Sequence, residues 1–229
     1  MTEIKTITVM MPFKLGSVNC YLFENNASYI LIDTGSSNRR GELEREIENA
    51  GCKSSDLKLI VITHGDFDHT GNAAYLREKF SAKVAMHPND VKMAEYGEMF
   101  SNRKQPNILI RKITPILFGF GKDERFKPDI LIGEGDNLSE YGIDAKILSI
   151  PGHSMGSIGV LLNNGDLVCG DLLENQESPS LNSIMDDMAA AKASVERLKG
   201  LEIKTIYPGH GKPFSKERLI ENVLVSEGE

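Results

Sequence analysis

The stretch that decides the reading is LIVITHGDFDHTGN, residues 59–72. An apolar run stops abruptly, and His64, Asp66, Asp68 and His69 follow within six positions of a chain that has five histidines in all. Alternating imidazoles and carboxylates directly after a buried strand suit a metal ion, because ligands must be aimed by a rigid element. The pattern also sets the frame: a strand leading into a loop at the edge of an α/β core.

Two more histidines sit in matching places. ILSIPGHSMGS (147–157) and KTIYPGHGKPF (204–214) both run from a β-type segment into Pro-Gly-His, putting His153 and His210 at strand ends. Glycine at each turn permits a sharp change of direction. VCGDLL (168–173) adds Asp171 near the end of a hairpin strand. Seven donors (His64, Asp66, Asp68, His69, His153, Asp171 and His210) exceed what one tetrahedral ion needs and suit two metals sharing a carboxylate.

Around these motifs helices alternate with strands. TITVMMPF (6–13), VNCYLFE (18–24) and SYILIDT (28–34) read as neighbouring strands joined by turns. Residues 36–51 read as a helix, with Leu43, Ile47 and Ala50 on one face and Gly51 as its C-terminal cap. LKLIVIT (57–63), helix NAAYLREKF (72–80) and strand KVAMH (83–87) follow. After an irregular stretch come strand AKILSI (145–150), a hairpin turned at Asn164-Gly165, a helix over 184–200, strand KTIYP (204–208) and a closing helix over 215–225. Helices on both sheet faces are the expectation.

The 229 residues fit one ordinary domain, 1–229. A formal net charge of −7 argues against a nucleic-acid partner, since phosphate binding needs excess Lys and Arg. No run reaches the roughly 20 apolar residues of a membrane span, and the N-terminus lacks the pattern of a secretory signal. Cys20, Cys52 and Cys169 are odd in number and form no CxxC, which points to reduced thiols and a cytoplasmic setting. Alternation would turn Cys169 the same way as Asp171, although a small buried hydrophobe is the plainer reading. His87, in KVAMHPND, reads as a structural cap of the next helix.

Taken together, VNCYL, LIDTG, THGDFDH, PGHS, GD and YPGHG resemble, in order and over nearly the whole chain, the metallo-β-lactamase-fold hydrolases. The resemblance implies a four-layer αβ/βα sandwich and a dinuclear centre. One divalent metal would be held by His64, Asp66 and His153, and the other by Asp68, His69 and His210, with Asp171 bridging. Zinc is the first expectation, with iron or manganese as alternatives. Asp33 of LIDTG matches a carboxylate that orients a ligand imidazole. Asp68 would also orient the attacking hydroxide, as the catalytic residue. No G-x-S-x-G nucleophile elbow is present.

The chain departs from the family's usual H-x-H-x-D-H at Asp66. Three carboxylates and a hydroxide would balance two divalent ions, whereas histidine at 66 would leave one positive charge. An added carboxylate makes the first site richer in oxygen and moves it toward iron or manganese. Asp is also shorter than His, so direct ligation at 66 calls for a local shift or a water.

The implied function is hydrolysis of an ester, thioester or related bond in a small, anionic substrate, in the branch resembling glyoxalase II. Nineteen residues follow His210, short for the helical domain of glyoxalase II proper, and Glu174 stands where quorum-signal lactonases carry a tyrosine. The alternatives are a persulfide-dioxygenase-like iron oxidoreductase and a non-catalytic member that binds a ligand in a metal-occupied pocket. Flavodiiron proteins also carry a carboxylate at the position of Asp66, but they need a flavodoxin domain.

Substrate selection is expected in a lid-like insertion at about 98–130. From Arg103 to Lys127 seven basic residues face two acidic ones, with Ile108, Leu109, Ile113, Ile116, Leu117, Phe118 and Phe120 among them. It reads either as a helical cover with a solvated basic face or as a lid admitting anionic, partly apolar substrates past Arg111 and Lys112. Such a cover also offers a contact for a homodimer.

Overall fold

The computed structural model describes residues 2–12, 15–101, 103 and 106–219. Its first sheet contains β1 (Glu3–Met10), β2 (Ser17–Asn25), β3 (Ser28–Ile32), β4 (Leu57–Ile62), β5 (Lys83–Met86) and β6 (Ile130–Leu131), in that spatial order. Hairpin connections make β1–β3 antiparallel, while β3 to β6 pair in parallel. Parallel pairing needs crossovers. These are α1 (Arg40–Asn49) before β4, α2 (Phe67–Thr70) and α3 (Ala73–Phe80) before β5, and α4 (Val91–Tyr96) and α5 (Ile108–Phe118) before β6.

The second sheet comprises β7 (Ala145–Ser149), β8 (Ile158–Leu162), β9 (Asp166–Asn175), β10 (Ser180–Leu181), β11 (Thr205–Gly211) and β12 (Phe214–Ser215). The path runs β12-β11-β9-β8-β7, with β10 on β9. The crossover α6 (Met188–Lys199) joins β10 to β11, which lies parallel to β9.

Period-two alternation builds the layers. Ile30, Ile32, Leu59 and Val61 of the first sheet meet Ile147, Ile158, Val160 and Val168 of the second. The side chains between them, Leu31, Ile60 and Ile62, turn outward onto Leu43 and Ile47 of α1 and Leu76 and Phe80 of α3. On the far side Leu148, Leu167 and Cys169 pack with Ala191, Val195 and Leu198 of α6. Each fully buried aliphatic side chain contributes about 1.5–3 kcal/mol. The expected αβ/βα sandwich is therefore present, with its apolar contacts in three separate seams.

Two expectations are corrected here. Cys169 does not share the orientation of Asp171: Gly170, at φ +51°, breaks the alternation between them. Cys169 joins the core under α6, and burial raises its thiol pKa. All three cysteines are buried and unpaired. The stretch through Pro115 is not irregular but helical. Asn107 caps α5, its side chain accepting from Leu109 N at 2.7 Å and Ile110 N at 3.2 Å, and Gly119 ends it at φ +66°. The Thr114 hydroxyl donates to Ile110 O at 2.8 Å, in the turn where the proline weakens the backbone ladder.

The closing helix expected over 215–225 lies mostly outside the described residues, as do Phe13 and Lys104. Among the described residues no helix is long and apolar enough to cross a membrane.

Candidate metal centre

β4 delivers the decisive loop. Its last residue, Ile62, leads into Thr63 and His64, and the short helix α2 then turns Asp68 and His69 inward from Asp66. His153 arrives after β7, Asp171 from β9 and His210 from β11. The structure brings all seven expected residues together. Three groups have donor atoms within 4.8 Å of one another and could hold an ion: His64, Asp66 and His153; Asp68, His69 and His210; and His64, His69 and Asp171.

Each imidazole is held by its Nδ1, which leaves Nε2 facing the centre. His69 Nδ1 lies 2.9 Å from Asp33 Oδ2, His153 Nδ1 2.7 Å from Ile184 O, and His210 Nδ1 2.7 Å from Ser17 O. His64 Nδ1 lies 3.0 Å from Thr63 Oγ1, which itself donates to Asp33 Oδ2 at 2.7 Å. With its hydrogen committed to Asp33, that hydroxyl can only accept from His64. All four rings therefore carry a hydrogen on Nδ1 and turn Nε2 toward the centre, the atom that would serve a cation once any second proton is displaced.

The orphan atoms agree with this. His64 Nε2, His69 Nε2 and Asp171 Oδ1 are buried without a hydrogen-bond partner. Such atoms are costly unless something else satisfies them. Asp171 stands centrally: its Oδ1 is 3.3 Å from His69 Nε2, and its Oδ2 is 3.1 Å from His210 Nε2 and 4.0 Å from both His64 and His153. These donors fit divalent cations.

Electrostatics follow from crowding. Burial, reinforced by His69 and His153, holds His64 well below the usual imidazole range. Burial opposes a proton on His210, but Asp171 and Asp68 overcome it and push that imidazole up to about 9. Burial raises the Asp68 carboxyl, against the pull of His69 and His210. Protons so held are what a divalent cation would displace.

Four groups that the sequence did not single out complete the site. Asp90, fully buried, accepts from Gly65 N at 3.1 Å, Ser154 Oγ at 2.6 Å and Gly156 N at 2.9 Å, tying the 64–69 loop to the 153 loop. Asn182 Nδ2 donates to Asp171 Oδ2 at 3.2 Å. Arg103 ion-pairs with Asp66 Oδ1 and lies 2.7 Å from Asp186 Oδ2. Its Nη2 also donates to His153 O at 3.1 Å. No short motif surrounds Arg103, Asp186 or Asn182, and only the fold reveals them. Arg103 thus adds a positive charge that the balance of three carboxylates and a hydroxide against two ions did not include. The shortness of Asp66 is no obstacle, since Asp66 Oδ2 comes within 3.1 Å of His153 Nε2 and 3.7 Å of His64 Nε2.

A cavity of about 370 Å³ opens over the cluster. Met11, Leu15, Met99 and Phe118 are among its apolar lining residues, and Thr114, Glu174, Gln176 and Asn182 among its polar ones. Arg111 and Lys112 line a different cavity of about 300 Å³. The basic pair of the expected lid is therefore absent from the described lining of the cavity over the cluster, to which α5 contributes Thr114 and Phe118. His87 behaves as expected: its Nδ1 accepts from Asn89 N at 3.2 Å.

The model of the metallo-beta-lactamase superfamily matches residues 14–210. The chain belongs to that superfamily. A probable metallo-hydrolase of Methanocaldococcus jannaschii is 30% identical over 200 residues, covering 85% of this chain and 88% of the relative. A hydroxyacylglutathione hydrolase of Pelagibacter ubique is 27% identical over 202 residues, covering 82% and 67%. Among solved structures, a protein crystallised in a di-iron-bound form superposes with a TM-score of 0.70 at 25% identity, covering 93% of this chain and 97% of that one. Membership in the superfamily and the donor set agree on metal-dependent chemistry.

Glycine is required where Gly209 passes the centre. A Cβ there would overlap Asp171 Oδ1 and lie 2.9 Å from His69 Cε1. Gly209→Ala is expected to displace the central carboxylate and weaken metal retention about tenfold, read by elemental analysis after dialysis against a chelator. Unchanged metal content would contradict the placement of Asp171.

Proposed function

We propose that this chain is a hydrolase with two divalent metal ions that cleaves an ester or thioester with an apolar acyl portion. The observation that carries the reading is the set of four imidazoles, each anchored through Nδ1, whose Nε2 atoms gather around Asp171. His64, Asp66 and His153 would hold one ion and Asp68, His69 and His210 the other, with Asp171 between them. Such ions would supply an activated water and polarise the acyl oxygen.

The protein's own groups do the rest. Asp68 lines the cavity, and its carboxylate is set to accept a proton from the attacking water. Met11, Leu15, Met99 and Phe118 exclude solvent from the acyl group and position it by burial. These side chains give the wall an apolar character that supports an apolar acyl chain. The hydroxyacylglutathione hydrolase relative supports including thioesters.

The test is elemental analysis of protein purified without chelator, followed by acyl thioesters, esters, lactones and phosphodiesters of graded chain length. Two ions per chain with turnover of acyl substrates is the expected result. A single iron with thiol-dependent oxygen consumption would replace hydrolysis with dioxygenation. Because the di-iron neighbour leaves iron open for this site, zinc, manganese and iron are each supplied in turn.

A further inference from the structure

Arg103 does more than brace a loop. It comes from the segment between α4 and α5, yet its side chain is only 4% exposed. Its guanidinium takes Asp66 Oδ1, leaving Oδ2 as the one oxygen turned toward His64 and His153. Burial works against the ionised Asp66, but Arg103 and His153 hold its carboxyl far below the usual carboxylate range.

We propose that Asp66 and Arg103 work as one composite ligand, formally neutral and presenting a single donor atom, in the place where relatives of this fold carry a histidine. The inference rests on the two-ion reading above and names a positioning residue for it. A lone carboxylate would offer two oxygens and a full negative charge. Paired with a guanidinium, it offers one oxygen and no net charge, as an imidazole offers one nitrogen and none. Asp186 also meets the guanidinium, at Nε, but it is partly exposed and its charge is screened by water, so the neutrality that counts at the centre is that of the buried Asp66–Arg103 pair.

The test separates charge from support. Arg103→Gln keeps an N–H donor for Asp66 Oδ1 and removes the positive charge. Zinc-loaded wild type and variant are titrated with a chelator while released zinc is followed. Loss of a buried cation beside the site is expected to raise the chelator concentration that removes the first ion by about tenfold. Metal-free Arg103→Gln should melt at a lower temperature than metal-free wild type, and zinc should raise its Tm by more.

Asp66→His alone, which leaves the guanidinium beside an imidazole, should release zinc more readily than wild type, and Asp66→His/Arg103→Gln should recover it. Arg103→Lys keeps the charge and should retain the wild-type midpoint, so the charge test survives if Arg103→Gln fails to fold. An unchanged or lower midpoint in folded Arg103→Gln, or additive effects in the double variant, would overturn the composite ligand while leaving hydrolysis intact. Wild-type protein that holds no zinc, manganese or iron would overturn both readings at once.

Discussion

Asp68→Asn is expected to lower kcat toward an acyl substrate by about a hundredfold to ten-thousandfold, the span typical of a positioned general base. Asparagine preserves the size of the side chain and one metal-facing oxygen but cannot take up a proton near neutral pH. Asp68 is enclosed by His69 at 3.9 Å and His210 at 3.6 Å, and it opens to the cavity. Metal content must be measured on the same preparation, because Asp68 would also hold an ion. A kcat within threefold of wild type at equal metal loading would remove Asp68 from the chemistry.

The second large effect is expected at a residue that never touches the cavity. Asp33, buried at φ +62°, accepts from Thr63 N at 2.8 Å and Thr63 Oγ1 at 2.7 Å, and it holds His69 Nδ1 at 2.9 Å. All of these approaching groups donate, so both carboxylate oxygens are needed. In Asp33→Asn the amide nitrogen must face at least one of them. If it faces His69, that ring must switch to the Nε2–H tautomer, whose lone pair no longer points at Asp171. If it faces Thr63 N, two donors meet in a buried space.

Metal affinity is expected to fall about 10- to 100-fold and stability by about 1–3 kcal/mol. Chelator titration and denaturant unfolding measure the two. Full retention of metal in Asp33→Asn would refute the tautomer account.

The fold was legible in the sequence because its signals are periodic. Alternation in SYILI and LKLIVI sets the two faces of the first sheet, and the spacing of Leu43 and Ile47 sets the buried side of α1. The ligand motifs were legible for a different reason. Histidine and aspartate at strand ends are scarce, so their recurrence after three strands stands out.

What the sequence could not reveal depends on contacts distant along the chain. Arg103 looked like one of seven basic residues in a solvated cover, yet it reaches Asp66 across 37 positions. Asp90 gave no sign that it joins two ligand loops. A proline such as Pro115 ordinarily breaks a helix, but caps at both ends and the Thr114 hydroxyl carry α5 through it. Cys169 is the small buried hydrophobe of the plainer reading, and only the simple alternation toward Asp171 fails, because a single glycine at positive φ resets it.

The histidines and carboxyls come in two contingents, one from loops of the first sheet (64–69) and one from the second (153, 171 and 210). The apolar seam that joins those sheets lies elsewhere and includes none of them. The centre is therefore a clasp on the margin of a sandwich already bonded along its middle. Architecture and candidate site are thus separable, and an ion bound there is expected to enter, leave or be exchanged for another without the protein having to unfold.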